Sequence, residues 1–98
     1  MTTNSSHPPA EDGQQEGMVQ LGDLLALATW KDQGEILVIR FPTAPLSRDQ
    51  LQRLKNLRLT PHPVSLSLGR QRATSGHHIM GYEDQPDATT FRVSRRKD

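Results

Sequence analysis

Cysteine is absent from these 98 residues, so no disulfide staples the fold and the disulfide-rich secreted scaffold is excluded. Aromatic side chains are few, being Trp30, Phe41, Tyr82 and Phe91, which leaves little to stack on nucleic-acid bases. Apolar residues make up 33% of the chain, against about 45–50% in globular proteins, so part of it is expected to stay unfolded. No stretch approaches the ~18 consecutive apolar residues of a transmembrane helix. The N-terminus has neither the basic nor the apolar region of a secretory signal. Asn4-Ser5-Ser6 fits the N-glycosylation pattern, but without such a signal it would not meet the machinery. The expected compartment is the cytoplasm, or the host cytosol for a viral protein.

What is present is a split of charge. Residues 1–39 hold six acids (Glu11, Asp12, Glu16, Asp23, Asp32, Glu35) against Lys31, a net of −5. Residues 40–72 hold seven bases (Arg40, Arg48, Arg53, Lys55, Arg58, Arg70, Arg72) against Asp49, a net of +6. The overall charge of +1 hides this dipole, and a local basic field attracts phosphates or acidic protein surfaces.

Residues 1–17, rich in Ser, Pro, Gln, Glu and Gly, cannot bury enough apolar surface to offset their ordering entropy and are read as a disordered acidic and polar segment. A small domain is expected over residues 18–75. From Met18 to Trp30 two templates compete. Leu21, Leu24, Leu25 and Ala28 fall at helical spacing, while residues 25–30 read as a strand leading into the turn Lys31-Asp32-Gln33-Gly34; the strand is favoured. Glu35 to Phe41 is the clearest strand, with Ile36, Val38 and Arg40 on one face and Leu37, Ile39 and Phe41 on the other. Apolar residues on both faces suit a central strand, or one covered on its second side by another subunit. Ile36, Val38, Ile39 and Phe41 are therefore the candidate core or dimer residues.

Ser47-Arg48-Asp49-Gln50 has the form of a capping box, with Leu46 and Leu51 placed as a hydrophobic staple. The helix it opens presents Leu51, Leu54 and Leu57 as its buried stripe and stops before Pro61. Val64, Leu66 and Leu68 then alternate with Ser65 and Ser67 as a half-buried strand. Residues 76–98 are read as a β-hairpin around Asp84-Gln85-Pro86-Asp87 that ends in a basic tail, or else as a basic tail throughout. The resulting fold class is α+β, a small ββαβ core with one short helix on a small sheet, extended by the C-terminal hairpin. Gly34 to Leu54, a hydrophobic strand followed by a capped Leu-rich helix, is similar to many small β-α-β proteins of phages and bacteria, and it carries no functional residue.

Among functional constellations the basic run is the sharpest. Arg48, Arg53, Lys55, Arg58, Arg70 and Arg72 are the candidate anion or nucleic-acid contacts. Lys55 and Arg58 also sit where the helix dipole favours cations without any ligand. His7, His62, His77 and His78 lack the spacing of a metal site, so no metal is expected. No catalytic motif and no cofactor-binding motif is present, so the chain is read as non-catalytic and without cofactor. Arg70, Arg72 and Ser75 have the spacing that basophilic kinases favour, and Arg95-Arg96-Lys97 is too short for a nuclear signal. A core of about 55 residues buries only ~60% of its unfolded surface, which makes self-association or a bound partner the physical expectation. The leading reading is a small interaction or accessory protein, working as a homodimer or assembly subunit through protein contacts, features that a viral or phage accessory protein would share. A nucleic-acid-binding regulator is the alternative, and a peripheral binder of anionic membrane the second alternative.

Overall fold

The computed structural model describes residues 14–60 and 63–94. They form β1 (Gln14–Leu21), β2 (Leu24–Asp32), β3 (Ile36–Pro42), α1 (Arg48–Arg58), β4 (Val64–Leu68), β5 (Thr74–His77), β6 (Ile79–Asp84) and β7 (Ala88–Ser94). One sheet contains all seven strands in the order β5-β4-β1-β2-β3-β7-β6, and every neighbouring pair is antiparallel. No helix among the described residues is long and apolar enough to cross a membrane. Residues 1–13, His62 and Arg95-Arg96-Lys97 lie outside the described residues.

This architecture corrects the ββαβ expectation. The strand after the helix, β4, pairs antiparallel with β1, so α1 does not cross over between parallel strands, and the sheet is large rather than small. The cause is β1, whose first half (Gln14, Gln15, Glu16, Gly17) is as polar as the segment before it. Pairing with β2 organises it: the hairpin runs in register from Gln14↔Lys31 to Leu21↔Leu24. Its turn is only Gly22-Asp23, and Gly22 takes φ +60°, the left-handed conformation that tight hairpin turns require. A Cβ on Gly22 would stand 3.0 Å from Leu57 Cδ2, so the turn is also packed beneath the helix.

Burial alternates along β2, β3 and the second half of β1. Val19 and Leu21 of β1, Leu24, Ala26, Ala28 and Trp30 of β2, and Leu37, Ile39 and Phe41 of β3 face the core. Leu25 falls on the opposite face, so the helical spacing of Leu21, Leu24, Leu25 and Ala28 is not used. The β2–β3 turn is closed by Gly34, at φ +92°, whose N–H donates to Asp32 Oδ1 at 2.9 Å. On β7, Phe91 meets Phe41 edge to face with ring centroids 6.0 Å apart, a preferred aromatic geometry.

The capping box of α1 is made in full. The Gln50 N–H donates to Ser47 Oγ at 3.1 Å and the Ser47 N–H to Gln50 Oε1 at 2.8 Å. Gln50 Nε2 also donates to the Leu25 carbonyl at 2.9 Å, tying the first turn of the helix to β2. Leu54 and Leu57 are buried in the core, with Leu46 and Leu51 packed against it. The helix thus lies against the core side of the sheet and touches β2 and β6.

The two outermost strands of the sheet, β5 and β6, are consecutive in the chain and joined by His78 alone. The sheet must therefore curl until its edges approach, giving a half-barrel. Gly76, at φ +84°, supplies the bend that few other residues tolerate. His77 is buried at this seam, with Nδ1 donating to the Ser94 carbonyl at 2.9 Å and Nε2 2.6 Å from Thr74 Oγ1. The Ser94 N–H returns a bond to the His78 carbonyl at 2.8 Å, linking β7 to the junction.

Candidate interaction surface

The outer face of the sheet is built by the residues that alternation turns away from the core. Most are polar, as a solvated antiparallel face should be. Beside the half-buried Ile36 and Val38 of β3, the apolar exception is an exposed patch on the β1–β2 hairpin, the longest pair of strands. Met18 and Leu27 are directly opposite in the register, Leu25 is next on the same face of β2, and the three are 47%, 44% and 52% exposed. Directly opposite side chains stand ~5 Å apart at Cβ, so these three make one continuous apolar surface. The neighbouring row crosses three strands as Glu16↔Thr29↔Arg40, placing an acid on one side of β2 and a base on the other. The row beyond it is Gln14↔Lys31↔Val38↔Arg92.

Of the strand residues singled out in the sequence, Ile39 and Phe41 are fully buried in the core, whereas Ile36 and Val38 are half-buried on the outer face. Neighbouring side chains of the same chain thus cover part of the outer side of β3, and Ile36 and Val38 keep the rest of their surface open.

The six basic candidates are not brought together. Arg48, Arg53, Lys55 and Arg58 ride on α1, beside the start of β4, where Leu57 and Val64 share a groove. Arg70 and Arg72 follow the end of β4, about 14 Å away along that strand. Two of the six hold the fold internally. Arg53 Nε donates to Asp49 Oδ2 at 2.8 Å and its Nη1 to the Asp23 carbonyl at 3.4 Å. That bond and the charge of Asp49 raise the Arg53 pKa above its ordinary value. Arg58 pairs with Asp84 at 2.8 Å and lies over the Tyr82 ring, 5.7 Å from its centroid, while Thr89 donates to the other oxygen of Asp84 at 2.7 Å. The Arg58 side chain is 22% exposed and fastens α1 to β6. Arg48, Lys55, Arg70 and Arg72 form no ion pair among the described residues.

Concavities open on the surface of the described residues. One of about 480 Å³ lies between α1, the Gly22-Asp23 turn and the start of β4, lined by Asp23 and by Asp49 and Arg53, which are bonded to each other. A second of about 200 Å³ opens at the far end of the half-barrel beside Arg72, Thr74 and His77 over Leu37, Leu66 and Leu68. A third, about 210 Å³, is a shallow basin on the outer face between Lys31 and Arg40. No group of three or more His, Asp or Glu residues is placed to hold a metal ion among the described residues. Ser75, of the kinase-like motif, is exposed on β5.

Sequence reasoning missed the apolar patch because Met18 is no periodic neighbour of Leu25 and Leu27. Met18 stands opposite Leu27 only through the hairpin register, and the one available signal was the Gly22-Asp23 turn that fixes it. No protein-family model, curated protein or solved structure matches this chain.

Proposed function

We propose that this chain is a small non-catalytic interaction protein that acts through protein–protein contacts on the outer face of β1–β3. The observation that carries the reading is the Met18–Leu25–Leu27 patch, a contiguous apolar area rimmed by polar side chains, the signature of an interaction site rather than of scattered surface hydrophobes. The groove between α1 and the Gly22-Asp23 turn supports the non-catalytic part, because its Arg53 is committed to Asp49 in an internal salt bridge. Affinity capture from lysate of the source cell, wild type against Leu27→Glu, tests the proposal. Proteins retained by the wild type and lost by the variant are expected; identical retention by both would sink it.

A second reading, binding of nucleic acid, draws on Arg48, Lys55, Arg70 and Arg72, which stay exposed and form no ion pair among the described residues. Their division between two ends of the molecule favours a weak, salt-sensitive contact over a single binding track. Fluorescence anisotropy of a mixed-sequence oligonucleotide at low and near-physiological salt decides it, and no binding at low salt removes it. In that case flotation with anionic vesicles tests the basic groups against lipid phosphate.

A further inference from the structure

We infer that the occupant of the outer face is a second copy of the same chain, packed about a two-fold axis that runs along β2. The inference rests on the interaction reading above and specifies its partner. Its basis is the cross-strand row Glu16↔Thr29↔Arg40. An isologous contact is self-complementary, so a residue on one side of the axis meets the residue on the other side in the partner. With the axis along β2, Glu16 of one copy faces Arg40 of its partner, and the reverse pair forms by symmetry. On the axis Leu27 meets Leu27 and Leu25 meets Leu25, with Met18 beside them, so the exposed apolar patch becomes the centre and the two charge pairs its rim. That is the arrangement of protein interfaces generally.

The groups are available for it. Glu16 is exposed. Arg40 commits Nη2 to Asp87 at 3.2 Å yet keeps its side chain 40% exposed. Because the half-barrel curls, β1 and β3 fall away on either side of β2, and the pair is bridged by the two longest charged reaches in the row rather than by short side chains. Lys31 would approach its own copy on the axis. It stands four residues along β2 from Leu27, ~13 Å away, and its long stem lets the ammonium turn outward into solvent. The contact is small and convex, below the roughly 1,200 Å² at which stable interfaces begin, which places it among weak, transient associations. A dissociation constant in the micromolar range is the consequence.

Sedimentation equilibrium of the purified full chain, from low micromolar to several hundred micromolar, tests the inference, together with Leu27→Glu, Glu16→Arg, Arg40→Glu and the double charge swap. Thermal melts monitored by circular dichroism confirm that each variant folds. The expected result is a concentration-dependent dimer, lost in Leu27→Glu, weakened by roughly tenfold or more in Glu16→Arg through like-charge apposition, and restored toward wild type when Arg40→Glu is added. A monomer throughout the range overturns it, and so does a dimer indifferent to Leu27→Glu and Glu16→Arg. A monomeric wild type that still loses its captured proteins on Leu27→Glu would remove the second copy and leave the interaction reading in place.

Discussion

The two faces of the β1–β2–β3 sheet are made from the same strands and differ in what they must do. On the inner face, Val19, Leu21, Leu24, Leu37, Ile39 and Phe41 have no measurable exposure, and they belong to one core cluster with side chains of α1, β4 and β7. On the outer face, Met18, Leu25 and Leu27 are as apolar and remain about half exposed. The difference teaches that hydrophobicity alone does not assign a side chain to this core. Register and parity assign it, and what they leave outside becomes surface chemistry.

Substitutions can sharpen or break that contrast. Phe41→Ala removes an inner-face ring packed on Phe91 and should cost about 3–5 kcal/mol, read by urea unfolding; a loss as small as an outer-face change would erase the contrast. Gly22→Ala forces a side chain into a left-handed turn and against Leu57. A loss above ~1 kcal/mol is expected, and an unchanged melting temperature would show that the turn relaxes without the helix noticing. Ser47→Ala breaks one arm of the capping box and should cost about 1 kcal/mol, measured by the same unfolding curves. Smallest of all, Leu27→Glu should alter stability of the isolated chain by no more than about 0.5 kcal/mol, the ordinary range for surface sites. A large loss there would mean that the outer patch belongs to the core after all.

Legibility in the sequence followed locality. The helix was readable because its cap, staple and leucine stripe all lie within twelve residues, Leu46 to Leu57, and each is a local signal. β3 was readable because a run of branched residues ends at a proline. β1 was not: four polar residues open it, and only Val19 and Leu21 point inward. Its identity as a strand depends on hydrogen bonds to β2 and β4 that no local pattern announces. The course of β5 into β6 was hidden for the same reason, since Ser75, Gly76, His77 and His78 have little strand propensity and owe their conformation to the edges they join. Of the candidate site, the exposed leucines were visible as letters, while the Met18–Leu27 apposition and the Glu16–Thr29–Arg40 row exist only in the register. The basic run of the sequence is partly neutralised on folding by acids from beyond it, Asp84 at Arg58 and Asp87 at Arg40.

The single-residue junction at His78 carries a consequence for how the molecule comes apart. In an ordinary open sheet the two outermost strands fray independently, each with its own local opening free energy. Here they are one length of chain, anchored at the bend through His77 and Ser94, so releasing one end slackens the other. Amide protons of β5 and β6 should therefore exchange with solvent as one cooperative unit, and a His77→Ala substitution should accelerate both together while leaving β2 protected.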